Sequence, residues 1–171
     1  RIVYTATTDA PTPVNFTNHA YFNLSAGKDA TVLDHELTLM ATRFSEADDT
    51  LIPTGRILNV KGTALDFTKA KKVGKDIDKI PPGYDHNFVL DNESGNMKII
   101  GSLYHAASGR NMQVATTQPG VQLYTGNFLN GNLKHTPGGI VYNKHAGLCL
   151  ETQHYPDSPN KPEFPTVVLS P

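Results

Sequence analysis

Residues 148–160 read LCLETQHYPDSPN. Leu148, Leu150 and Thr152 alternate with Cys149, Glu151 and Gln153, the period of a strand whose two faces meet different surroundings. One face is apolar, and the other carries a thiol, a carboxylate and an amide. The run then stops in a turn built from Pro156, Asp157, Ser158, Pro159 and Asn160, which favour turns by fixing φ or by bonding their own backbone. A carboxylate in a strand is ordinarily solvated or paired. Facing a pocket, it can move a proton.

The same alternation recurs along the chain. In VQLYT (121–125), Val121, Leu123 and Thr125 take the apolar side, while Gln122 and Tyr124 point the other way. If NHAYFNL (18–24) is extended, His19, Tyr21 and Asn23 align against Ala20, Phe22 and Leu24. Three segments thus pair an apolar face with one of Glu, Gln, His, Tyr and Asn that is almost free of lysine, the lining expected of a polar cleft. Further strands are expected in RIVYTATT (1–8), TPVNFTN (12–18), LDHELTLM (33–40), MKIIGSLYH (97–105), NMQVATT (111–117) and TVVLS (166–170). Turns are expected at PTG (53–55), PPGYD (81–85), DNESGN (91–96), LNGN (129–132) and TPGG (136–139). Only TKAKKVGKDIDKI (68–80) has helical flavour, and Gly74 limits it to a turn or two; its lysines read as a solvated surface. With no linker-like break in composition, this is an all-β chain: one antiparallel β-sandwich domain over residues 1–171.

Composition narrows the function. Fifteen Lys and Arg against sixteen Asp and Glu give a formal net charge of −1, which offers no footprint for nucleic acid or an anionic membrane. No apolar run is long enough for a membrane span. Cys149, the one cysteine, excludes an internal disulfide and fits a reducing compartment such as the cytoplasm. The start at Arg1, without methionine or an apolar leader, is what a processed or truncated product would show. None of the seven histidines has i, i+4 spacing and no second cysteine exists, so no metal site is expected. No G-x-S-x-G elbow occurs, and Cys149 between two leucines reads as inert. No glycine-rich stretch precedes a convincing helix, which leaves acid–base chemistry by a carboxylate and an imidazole.

Four blocks, TPVNFTNHAYFNL (12–24), GYDHNFVL (83–90), PGVQLYTGN (119–127) and KHAGLCLETQHYPDSPNKPEFP (144–165), resemble the successive sequence blocks of the aldose 1-epimerase (galactose mutarotase) family. The resemblance implies a large antiparallel β-sandwich, here the C-terminal portion of the family's length and truncated at both ends. It implies an isomerase that interconverts the α and β anomers of hexoses such as galactose and glucose, with Glu151 as catalytic base and His19 as catalytic acid. It further implies Asp85 and Gln122 as ligands of sugar hydroxyls, Tyr21 as a neighbour in the pocket, and no metal, nucleotide or organic cofactor. The partner is then a small hexose, with the missing N-terminal part as a possible separate chain. Two other readings stay open: a non-catalytic sugar-binding or regulatory module of the same fold, and a sheet protein that only assembles with others. Taken singly, His19 also reads as the end of a strand, Asp85 as an ordinary turn carboxylate and Phe22 as a core aromatic.

Overall fold

The computed structural model describes residues 1–92 and 95–171. In chain order the strands are β1 (Thr12–Pro13), β2 (Glu36–Leu39), β3 (Arg43–Ala47), β4 (Pro53–Asn59), β5 (Lys71–Lys72), β6 (Asp85–Val89), β7 (Lys98–His105), β8 (Arg110–Thr116), β9 (Gly120–Tyr124), β10 (Cys149–Gln153) and β11 (Val168–Leu169). Every pairing among them is antiparallel. A five-stranded sheet runs β10-β9-β6-β3-β4, a four-stranded sheet runs β5-β2-β7-β8, and β1 pairs with β11. The helical content of the described residues is short 3₁₀ turns, two of them at Val73–Lys75 and Ile77–Lys79, where only a turn or two is expected.

The two larger sheets share one core. Phe88, Val121, Leu123, Leu148 and Leu150 from the first meet Leu37, Leu39, Ile100 and Leu103 from the second, all buried in a single apolar cluster. Strand alternation fills it: Val121 and Leu123, like Leu148 and Leu150, stand two residues apart, and each strand turns its other face elsewhere. Leu37 and Leu39 face inward with His35 in register, and His35 is fully buried. Phe22 packs against this cluster from the edge.

Several local expectations fail for reasons of pairing. Residues 1–8 form no strand; Tyr4 is held by its hydroxyl on the Thr17 carbonyl at 3.1 Å and by stacking on Phe16, while Ile2 and Val3 stay exposed. In TPVNFTN the strand is confined to Thr12–Pro13 and in TVVLS to Val168–Leu169, with one further bond from the Val14 N–H to the Val167 carbonyl at 2.7 Å. NHAYFNL is not a strand but an extended segment tied down by one bridge, Phe22 to Leu148. PTG is not a turn: Pro53 opens β4, the sheet's edge, where a missing N–H does no harm. The chain reverses instead at 48–52, where the Asp48 carboxylate accepts from the N–H groups of Thr50 and Ile52. The turn expected at 91–96 falls partly on Glu93 and Ser94, outside the described residues.

Candidate active site

Strand β9, between β10 and β6, sets the site. Gln122 lies opposite Glu151 of β10 on one side and Asn87 of β6 on the other. One row along, Tyr124 lies opposite Cys149 and Asp85. Directly opposed residues in antiparallel strands put their side chains on the same face. This face of the sheet therefore carries Cys149, Tyr124 and Asp85 in one row, and Glu151, Gln122 and Asn87 in the next. The opposite face, with Leu148, Leu150, Val121, Leu123 and Phe88, is the core just described.

His19 and Tyr21 come from the extended segment beside this face. Phe22 donates its N–H to the Leu148 carbonyl at 2.8 Å, and Leu148 returns the bond to Phe22 at 3.1 Å. That pair of bonds fixes the segment at the start of β10. Gly147 allows the close approach, since a Cβ there would lie 3.1 Å from Tyr21 Cβ. The His19 ring then sits 5.2 Å from that of Tyr21 and 6.0 Å from that of Tyr124.

The resulting cleft, of about 400 Å³, brings together all five residues singled out in the sequence: His19, Tyr21, Asp85, Gln122 and Glu151. His19 Nε2 stands 3.4 Å from Glu151 Oε1. The Glu151 side chain is only 9% exposed and that of His19 51%, so a buried carboxylate meets an imidazole open to the cleft. Burial pushes the Glu151 carboxyl above its usual range; His19 pulls it down, and Asp85 pushes it further up. Gln122 donates through Nε2 to Asp85 Oδ1 at 2.7 Å, which leaves its own carbonyl oxygen as an acceptor toward the cleft and toward Gln153 Nε2, 3.5 Å away. Burial and the surrounding acids push the Tyr21 hydroxyl up to about 12, so it remains a proton-bearing group at neutral pH.

Tyr124, Phe128, Gln153 and Pro156 also line the cleft without having been singled out. Alternation already turned Tyr124 and Gln153 toward the polar face. Phe128 and Pro156 lie outside the strands, where no periodicity marks them; Phe128 is held by its N–H on the Tyr124 hydroxyl at 3.1 Å. A larger recess, about 710 Å³, is lined by His154, Asp91 and Glu163 among others, but His154 Nδ1 is taken up by Gln118 Oε1 at 2.8 Å and the imidazole makes no ion pair with a described carboxylate.

Cys149 also belongs to this site. Its Sγ lies 3.3 Å from His19 Nδ1. His19, Cys149 and Glu151 thereby offer donor atoms within 4.8 Å of one another, a grouping that sequence spacing does not reveal. A metal there would need Cys149 as thiolate, and burial, Glu151 and Asp85 push the thiol up to about 12. The ion would also have to part the imidazole from the carboxylate. The three groups fit a chain of direct contacts, Cys149 to His19 to Glu151, better than a resident cation.

Comparison with known proteins identifies the family. The sequence model of the family described as aldose 1-epimerase matches residues 1–171. Galactose mutarotase of Rattus norvegicus is 50% identical over 98% of this chain and 49% of its own length, and that of Mus musculus is 52% identical over 99% and 49%. Aldose 1-epimerase of Escherichia coli K12 is 38% identical over 96% of the chain and 48% of its own. Among solved structures, an aldose epimerase homologue from C. elegans superposes with a TM-score of 0.81 at 31% identity, covering 96% of this chain and 49% of that one. Galactose 1-epimerase from Lactobacillus acidophilus gives 0.74 at 28%, covering 96% and 46%. The chain thus spans about half the length of these relatives. No helix among the described residues is long and apolar enough to cross a membrane. By sequence, by sheet architecture and by overall superposition, the chain belongs to the aldose 1-epimerase family.

Proposed function

We propose that the protein interconverts the α and β anomers of a hexose, galactose or glucose, by acid–base opening and closing of the pyranose ring. The observation that carries this is the 3.4 Å approach of His19 Nε2 to Glu151 Oε1 over a cleft that also holds Asp85 and Gln122. Glu151 takes the proton of the C1 hydroxyl. The electron pair left on the hydroxyl oxygen forms the aldehyde carbonyl as the pair bonding C1 to the ring oxygen leaves with that oxygen, which receives the Nε2 proton of His19. Rotation about C1–C2 presents the other face of the aldehyde, and the same transfers run in reverse. Asp85 and Gln122 bind sugar hydroxyls, and Tyr21 closes one side of the pocket. No cofactor enters these steps.

The residue types suit the task. A carboxylate can take a proton and an imidazole can give one close to neutral pH when each is held against the sugar. Their separation makes them one coupled acid–base unit. Further sugar contacts come, on this reading, from the part of the family's length that these 171 residues do not span. A reducing compartment, the cytoplasm, suits the single buried thiol.

Polarimetry on freshly dissolved α-D-galactose tests the proposal. The protein should speed the approach to anomeric equilibrium, and Glu151→Gln should lower kcat by about 10²-fold or more. Sugar binding without anomer exchange above the buffer rate would instead identify a non-catalytic module.

A further inference from the structure

We propose that Cys149 is a positioning residue for His19: its thiol holds the imidazole through Nδ1 and so presents Nε2 to Glu151 and to the sugar. The inference rests on the acid–base reading above and deepens it. Its basis is a chain of contacts in which the ring is gripped from both ends, with Cys149 Sγ 3.3 Å from Nδ1 and Glu151 Oε1 3.4 Å from Nε2. Cys149 is itself fully buried and does not line the cleft, so it reaches the reaction only through the ring.

The His19 ring needs such a hold. Half of its side chain is open to solvent, and its other neighbours are the faces and edges of Tyr21 and Tyr124, which limit its tilt but do not distinguish one nitrogen from the other. A carboxylate only accepts hydrogen bonds, so the productive ring carries a proton on the nitrogen facing Glu151, but at 3.4 Å that contact is too long to fix the tautomer alone. In the neutral ring that leaves Nδ1 as the bare nitrogen, and the thiol, kept protonated by burial, donates to it. In the charged ring Nδ1–H donates to sulfur instead. When Nε2 gives its proton to the ring oxygen, the Nδ1 proton stays in place against sulfur, and closure of the sugar ring restores Nε2–H. A thiol donates and accepts, so it holds the ring through every one of these states.

The choice of sulfur has a second consequence. A carboxylate behind an imidazole stabilises the imidazolium and makes it a weaker acid. The uncharged thiol orients the ring without that effect, as suits a group that must release a proton. The strand supplies the placement without any change of topology: positions 149 and 151 lie on the same face of β10, so one short element holds both the base and the group behind the acid.

Nitrogen-15 NMR of histidine-labelled protein reads the arrangement directly. In the neutral form the ring should be the Nε2–H tautomer in the wild type, a mixture in Cys149→Ala, and again Nε2–H in Cys149→Ser, whose hydroxyl can also donate and accept. In the polarimetric assay, Cys149→Ala should lower kcat by about three- to tenfold, the scale of one neutral hydrogen bond, with KM unchanged, and Cys149→Ser should restore it. An Nδ1–H tautomer in the wild type, one common tautomer in all three proteins, or an unchanged kcat in Cys149→Ala overturns the proposal. If the wild type shows no anomer exchange, the mutarotase reading falls, and the wild-type tautomer alone decides the role of Cys149.

Discussion

Glu151 is held where its charge is unwelcome. Its burial raises the carboxyl, and the nearby Asp85 raises it further. A carboxylic acid whose folded value lies above its unfolded value stabilises the fold in its protonated form, and that contribution is lost as pH rises through the folded value. Glu151→Gln imitates the protonated form. The variant should therefore lose anomer exchange while melting at a higher temperature than the wild type at pH 7. The gap should shrink as pH falls through the raised value and vanish below about 4.5, the ordinary value for this group, where both side chains are neutral. Calorimetry over that range checks it; a Gln variant that melts lower at pH 7 would mean that the His19 contact outweighs burial.

Asp85 offers a separate test at the same scale. Removing its charge with Asp85→Asn takes away one of the influences that raise Glu151, so the acidic limb of kcat/KM should move to lower pH. The same change removes the acceptor of the Gln122 amide or sets two amides against each other, and it weakens a charge-assisted contact to sugar. KM should rise by roughly ten- to a hundredfold, the scale of a hydrogen bond to a charged group. A raised KM with an unmoved acidic limb would show that Asp85 binds sugar without tuning the base.

Elements place these side chains, and the turn before β6 shows how. Gly83 has φ of +147°, and a Cβ there would stand 2.0 Å from Asn127 Oδ1 and 2.8 Å from Thr125 Oγ1. Both neighbours are fixed, because Asn127 Nδ2 donates to the Tyr84 carbonyl at 3.0 Å and Thr125 Oγ1 donates to Asn127 Oδ1 at 2.7 Å. The clamp decides where β6 begins, and so where Asp85 lies. Gly83→Ala should cost about 1–3 kcal/mol and weaken sugar binding together with it. An unchanged melting temperature would show that the turn yields without moving β6. Much of this level is legible in the sequence. Alternation alone put Glu151, Gln122 and Tyr124 on polar faces, because a period of two is local. The register that sets Glu151 opposite Gln122 is not local, and neither is the contact between Cys149 and His19, separated by 130 residues. β3 and β4 escape the pattern because a pair at the sheet's edge with Pro53, Gly55 and the ion pair of exposed Arg56 with half-buried Glu46 shows little apolar alternation.

At the scale of the whole molecule, acid should act first through histidines and not through carboxylates. Burial lowers His35, His86 and His154 below their ordinary 6.5. For His35 the stacked His105, with ring centroids 4.5 Å apart, adds to the lowering, while Asp29 and Asp34 oppose it. A histidine lowered in the folded state stabilises the fold above its unfolded value, and that contribution is lost as pH falls below about 6.5 toward the folded value. His35 has the most at stake. It is fully buried beside β2, and its Nε2 accepts the Leu24 N–H at 2.9 Å, so protonation would set one donor against another. The hydrogen-bonded carboxylates, among them Asp48, Asp66 and Asp157, are lowered from 3.8 and release their contribution only at more acidic pH. Glu151 works in the opposite direction, gaining as it protonates, but it is a single group. The melting temperature should therefore hold level above pH 7 and begin to fall below about 6.5, while the carboxylates are still ionised. His35→Gln, which keeps an acceptor for Leu24 but cannot titrate, should flatten the curve between 6.5 and the carboxylate range. A melting temperature that stays level down to about 4.5 would show that the buried histidines take up protons without loosening the contacts between the sheets.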